Sequence, residues 1–151
     1  MRDHAADAAI GAVAGIAATF PMSGVMWLAQ KAGLMGEQPP KRVTRWQARR
    51  LNIRPTQAQE DRSSFAAHLL FGALTGSGYG LVRPALPKEL PEVPTGVLFG
   101  LAVWYLAYMG GLPALGIMPR ADRDRPGRPQ SMALAHIVYG GVLAALLRRR
   151  P

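Results

Sequence analysis

The sequence predicts an all-α fold: a four-transmembrane-helix bundle made of two tandem repeated helical hairpins. Three observations predict it. Four stretches, 8–30, 63–82, 93–119 and 129–147, contain no Asp, Glu, Lys or Arg. A phrase in the first half, Ala67-His68-Leu69-Leu70-Phe71-Gly72, returns in the second as Ala135-His136-Ile137-Val138-Tyr139-Gly140. Each copy follows an apolar run with spaced glycines, Gly11 and Gly15 in the first half and Gly96 and Gly100 in the second.

A hydrocarbon core about 30 Å thick needs roughly 20 apolar helical residues to cross it. The uncharged stretches meet that length. A soluble amphipathic helix would carry charges every turn or so along its outer face, and these carry none. All nine acidic residues lie in flanks or connections. The mean hydropathy of only +0.06 reflects the polar, Arg- and Gln-rich connection 31–62 rather than the runs themselves. One domain, 1–151, is expected, with repeat 1 at about 8–82 and repeat 2 at about 93–147, since ordered self-similarity marks repeated units.

The first run is expected to be helical over about 8–29. It is too long for the apolar region of a signal peptide, and Pro21 should kink it by removing a backbone hydrogen bond. The connection that follows holds Pro39-Pro40-Lys41-Arg42, a stiff basic turn, and then 45–51, either a short interfacial helix or a solvated loop. The second run should start after Ser63-Ser64 as N-cap residues. That start puts His68 about one turn, roughly 6 Å, into its helix, with His136 at the matching depth. Gly72, Gly76 and Gly80 then form a stripe for close helix contact, and Gly140 occupies the corresponding place in the fourth run. The third run, about 95–109, should break at Gly110-Gly111 and Pro113. The connection 121–129, alternating Asp and Arg, reads as flexible, and the fourth run starts after Ser131.

Connections one and three carry twelve of the 18 Lys and Arg residues. The positive-inside rule therefore places them in the cytoplasm. The net charge of +9 suits anionic lipid headgroups, with Lys41, Arg42, Arg45 and Arg120 as the candidate headgroup contacts. Nucleic acid is not an expected partner, because no soluble basic face with aromatics is present.

Cysteine is absent, which excludes disulfides and thiolate chemistry. No catalytic residue and no metal site is expected: there is no Ser–His–Asp ordering and no phosphate-binding loop. Buried carboxylates, the usual relay of coupled carriers, are missing from the runs. Suspicion falls on His68 and His136, because intramembrane ionisable residues are costly. They are structural, or they bind an anionic group with Arg42 and Arg120, or they ligate one haem b from opposite sides, with Phe71 and Tyr139 as neighbours.

The glycine-spaced first run, the Pro-Pro-basic turn and the paired Ala-His-x-x-aromatic-Gly phrase resemble small bacterial inner-membrane proteins of unknown function, distantly YagU-like. The resemblance implies four helices and a multi-pass inner-membrane location, and supplies no catalytic residues. The expected function is non-enzymatic: an accessory or scaffold subunit packing against a membrane-protein partner, a second copy of itself, and anionic lipid. The alternatives are a small haem- or ligand-binding membrane protein using His68 and His136, and a small transporter or channel.

Overall fold

The computed structural model describes residues 3–87 and 89–148. Of the six cations that belong to neither connection one nor connection three, Arg2, Lys88, Arg149 and Arg150 lie outside the described residues. The described residues form an all-helical bundle. α1 is His4–Lys31, α2 Pro39–Arg50, α3 Gln57–Val82, α4 Glu92–Tyr105, α5 Leu112–Ala114 and α6 Arg128–Leu146. Four helices are long and apolar enough to cross a membrane: α1, α3 with its 3-10 extension, α4 continued through α5, and α6.

Glycine decides how these helices meet. A Cβ on Gly76 would overlap the Gly11 carbonyl oxygen and come within 2.7 Å of the Gly15 Cα. One on Gly72 would strike Thr19, and one on Gly80 would come within 3.1 Å of the Gly11 Cα. α1 and α3 are therefore antiparallel with backbones touching. α4 and α6 use the same kind of contact: Gly96 lies against Gly140 and Ala144, and Gly100 against His136 and Gly140. Where lipid removes the hydrophobic drive between helices, such close approach is what holds them.

α1 also packs on α6, whereas α4 closely approaches α6 alone among the long helices. The bundle is thus a folded row, α3–α1–α6–α4, with α1 and α6 inside. In α6, 44% of the apolar window is buried, against 11% in the third span. At one end the Tyr79 and Phe99 rings bridge α3 and α4, centroids 4.9 Å apart. Towards the other end the two outer helices stand apart.

Several boundaries differ from the sequence expectation. α3 starts at Gln57, because Thr56 and Gln59 form a capping box with Glu60 in the first turn. Ser63 is not an N-cap; its hydroxyl donates back to the Gln59 carbonyl at 2.8 Å. His68 therefore lies about 16 Å along its helix, and His136, in a helix that starts at Arg128, about 12 Å along. Pro21 sits inside a continuous α1. Pro39-Pro40 is no turn but the opening of α2, where a missing N–H is harmless. The break in the third span takes the form of a π-helical segment, Leu106–Gly111, ahead of Pro113.

The third connection is anchored, not flexible. Arg128, only 3% exposed, donates from Nη1 to both Asp124 carboxylate oxygens at 2.8 and 3.0 Å and from Nε to the Met35 carbonyl at 2.7 Å. The Tyr108 hydroxyl donates to the same carboxylate, and Arg125 donates to the Gly33 carbonyl. One buried ion pair thus ties the third span, connection three, α6 and the end of α1 together. Burial pushes the Asp124 carboxyl up, but the hydrogen bonds from Tyr108, the Arg125 backbone N–H and Arg128 outweigh it and hold the group below the usual carboxylate range.

Two predictions follow from this packing. Gly76→Leu should destabilise by about 3 kcal/mol or more, since it overfills a backbone contact. Gly78→Leu, with nothing within 4 Å of its Cβ position, should leave the detergent melting temperature nearly unchanged. Asp124→Asn should cost about 3–5 kcal/mol at neutral pH by stranding a buried guanidinium. Because the folded-state value is depressed, the Asp124 contribution is complete above the ordinary carboxylate range and is lost as pH falls through Asp124's own lower value. Acid titration of the melting temperature should therefore be flatter in the variant than in the parent.

Candidate functional site

The two repeated histidines come together inside the bundle. His68 from α3 and His136 from α6 are both buried, 9% and 4% exposed. They line one internal cavity with Thr19, Gly72, Val103 and Tyr139. Each owes its place to the glycine one turn on: Gly72 brings α3 against α1, and Gly140 brings α6 against α4.

Their hydrogen bonds differ. His136 Nδ1 lies 2.8 Å from the Met132 carbonyl oxygen. A carbonyl only accepts, so Nδ1 carries the proton and Nε2 of the neutral ring keeps its lone pair. His68 Nδ1 shares a 3.3 Å hydrogen bond with the Ser23 hydroxyl of α1. The repeated aromatics, Phe71 and Tyr139, both line this cavity but differ in burial. Tyr139 is 2% exposed, donates its hydroxyl to the Gly72 carbonyl at 2.8 Å and meets Thr75 Oγ1 at 2.8 Å. Phe71 is 43% exposed although it belongs to the same cavity wall. Tyr139 is thus a structural bridge between α6 and α3, whereas Phe71 makes no such bridging hydrogen bond.

The smaller of the two spaces that both imidazoles line measures about 10 Å³. That is room for about one water, and no porphyrin fits within it. The histidines are not joined by the cations expected beside them. Arg42 and Arg120 line none of the described cavities that hold His68 or His136. The greater depth of both imidazoles explains this.

The four headgroup candidates are each engaged within the chain. Lys41 Nζ meets Asp61 at 2.7 Å, Arg45 bridges Glu37 and Glu60, Arg42 lies 3.8 Å from Glu37, and Arg120 lies 3.3 Å from Asp122. Acidic residues next to the start of α3 thus dock α2 onto it. Burial of that helix is one-sided: Pro39 and Thr44 are buried, whereas Arg49, Arg50, Leu51, Ile53 and Arg54 are exposed.

Two larger spaces open from His68. On the polar side a vestibule of about 540 Å³ is bounded by Ser23, Gln30, Gln38, Lys41 and Asp61. On the lipid-facing side an apolar groove of about 290 Å³ runs between α3 and the third span, with both His68 and His136 in its wall. Trp104 also lines this groove. Its Nε1 is buried and has no hydrogen-bond partner among the described residues. Leaving a buried donor unmet costs about 1–3 kcal/mol, so such an atom needs an explanation. Sequence reasoning missed Trp104: a tryptophan late in an apolar run looks like any interfacial indole, and only side-chain packing reveals the orphaned donor.

Tyr139→Phe should lower stability by about 1–2 kcal/mol, the worth of the hydrogen bonds lost. Phe71→Leu, at a half-exposed position, should change it by less than about 0.5 kcal/mol. Detergent melting curves of the two variants check the asymmetry.

No curated protein and no solved structure matches the chain. A model of a family of unknown function, DUF6789, matches residues 5–150. With four helices fit to cross a membrane and nearly every residue inside the match, the chain belongs to that uncharacterised family.

Proposed function

We propose that this is a non-enzymatic integral membrane protein of the bacterial inner membrane, an accessory or scaffold subunit anchored at an anionic leaflet by α2. The observation that carries the reading is the exposed end of α2. Arg49, Arg50 and Arg54 flank the exposed Leu51 and Ile53 beside the ends of the apolar helices. Exposed cations around apolar side chains suit the headgroup layer, where each is worth about 1 kcal/mol against anionic lipid. These three arginines take the role expected of Lys41, Arg42, Arg45 and Arg120, whose charges are already paired within the chain. α2 with its arginines would face the cytoplasm, as the distribution of cations suggests.

α4 supports the scaffold part of the reading. Leu98, Tyr105 and Leu106 lie outward on a helix held by one neighbour, a face that suits a partner helix or a second copy. The Ser23–His68 contact does not favour acyl transfer. Ser23 lies within the continuous α1, whose backbone N–H groups are taken by the helical ladder, so no oxyanion donor is presented there. The paired use of glycine in α1/α3 and α4/α6 supports descent from a duplicated hairpin, and kinship with the YagU-like proteins rests on the repeated phrase.

The test compares nanodiscs of phosphatidylcholine with nanodiscs containing phosphatidylglycerol. Phosphatidylglycerol should raise the melting temperature of the parent. Replacing Arg49, Arg50 and Arg54 with Gln should abolish that rise while leaving the phosphatidylcholine value unchanged. An equal rise in both proteins would remove the α2 anchor.

A further inference from the structure

The open flank between α3 and α4 is more than lipid-facing surface. It is recessed, backed by the inner helices α1 and α6, and it collects polar atoms that no described residue is seen to use. Trp104 Nε1 is a buried donor without a partner among the described residues. His136, its Nδ1 committed to Met132, keeps an acceptor at Nε2. Both residues line the same groove, whose wall is otherwise mostly apolar apart from Gln47, His68 and Tyr108, with Met22, Met26 and Met132 among the lining residues. Thioether side chains adapt to irregular guests. Trp104 stands two residues before the π-helical segment Leu106–Gly111, and such segments recur at functional sites.

We propose that this groove binds an uncharged lipid whose head is a hydroxyl group, with the hydrocarbon chain leaving between α3 and the third span into the bilayer. The chemistry selects the head. An indole N–H requires an acceptor and an imidazole lone pair requires a donor. A hydroxyl is the smallest group that supplies both. A carboxylate supplies no donor for Nε2, and the groove is lined by no Lys or Arg to neutralise it. An ammonium supplies no acceptor for the indole, and no Asp or Glu lines the groove. Lys41 and Asp61 belong to the vestibule on the other side of His68 and are paired with each other. The volume of about 290 Å³ accommodates a head and the first part of one chain, with the remainder outside among lipids.

The experiment uses the full chain in detergent and three photoreactive probes of one chain length: a diazirine-bearing hexadecanol, the matching hexadecanoic acid and the matching hexadecylamine. Labelled sites are located by peptide mass spectrometry. The alcohol should label groove residues about tenfold more than either charged probe, and unlabelled hexadecanol should compete, as expected when one matched pair of hydrogen bonds decides the preference. Trp104→Phe keeps the ring and removes only the unpartnered N–H. It should abolish the preference for the alcohol without lowering the melting temperature of the lipid-free protein. His136→Gln, which retains an amide able to reach Met132, should weaken labelling to a similar degree. Equal labelling by all three probes, or undiminished alcohol labelling in Trp104→Phe, would show the flank to be plain lipid-facing surface. Cross-linked dimers or a bound partner helix that shields the groove from every probe would equally overturn the proposal.

Discussion

Backbone contact through glycine is the constraint on which the rest of the structure depends. Gly11 and Gly15 lie against Gly72, Gly76 and Gly80, and Gly96 and Gly100 lie against Gly140. Any Cβ in these places would meet backbone, which cannot give way as a side chain can. Two tight antiparallel pairs result. They join through α1 and α6, which leaves α3 and α4 on the outside with a gap between them. The groove is thus a consequence of how the tight pairs meet, and the two imidazoles reach it because each stands one turn from a contact glycine.

Polar groups between the helices are almost all satisfied locally, as a water-poor interior demands. Thr19 donates to the Gly15 carbonyl, Ser77 to the Ala8 carbonyl and Tyr139 to the Gly72 carbonyl. At one end the buried Asp124–Arg128 pair performs the same task with charges, and its hydrogen bonds to Tyr108 and Met35 offset the desolvation that an isolated pair would suffer. Against that background the unmatched Trp104 donor stands out. Arg42 Nε is likewise buried without a hydrogen-bond partner among the described residues, but it lies 3.8 Å from the Glu37 carboxylate, whereas the uncharged indole has no such ion-pair partner.

Charge follows a similar division. The cations nearest α3 are drawn into ion pairs that hold α2 in place. Those at the far end of α2 form no ion pair among the described residues and remain on the surface, Arg50 resting over the Trp46 ring at 4.7 Å. The same run of basic residues therefore does two jobs, one internal to the fold and one directed outward.

The sequence by itself determined the helical class, the four apolar spans and the faces along which they touch. Those properties depend on local composition and on glycine spacing, and both are read directly along the chain. Helix starts were less legible: Ser63-Ser64 and Ser131 looked like caps, but the capping box at Thr56 and the Pro-containing start at Arg128 lie upstream, so the histidines lie deeper than their distance from those serines suggested. Tertiary structure alone decided that connection three is anchored, that Tyr139 is buried while Phe71 is half-exposed, that Lys41 and Arg45 are paired, and that Trp104 Nε1 lacks a hydrogen-bond partner among the described residues. Each of these is a relation between side chains far apart in sequence. The physical reason is that hydrogen bonding and charge pairing depend on which helices become neighbours, and a repeated phrase acquires two different environments once one copy lies on an outer helix and the other on an inner one.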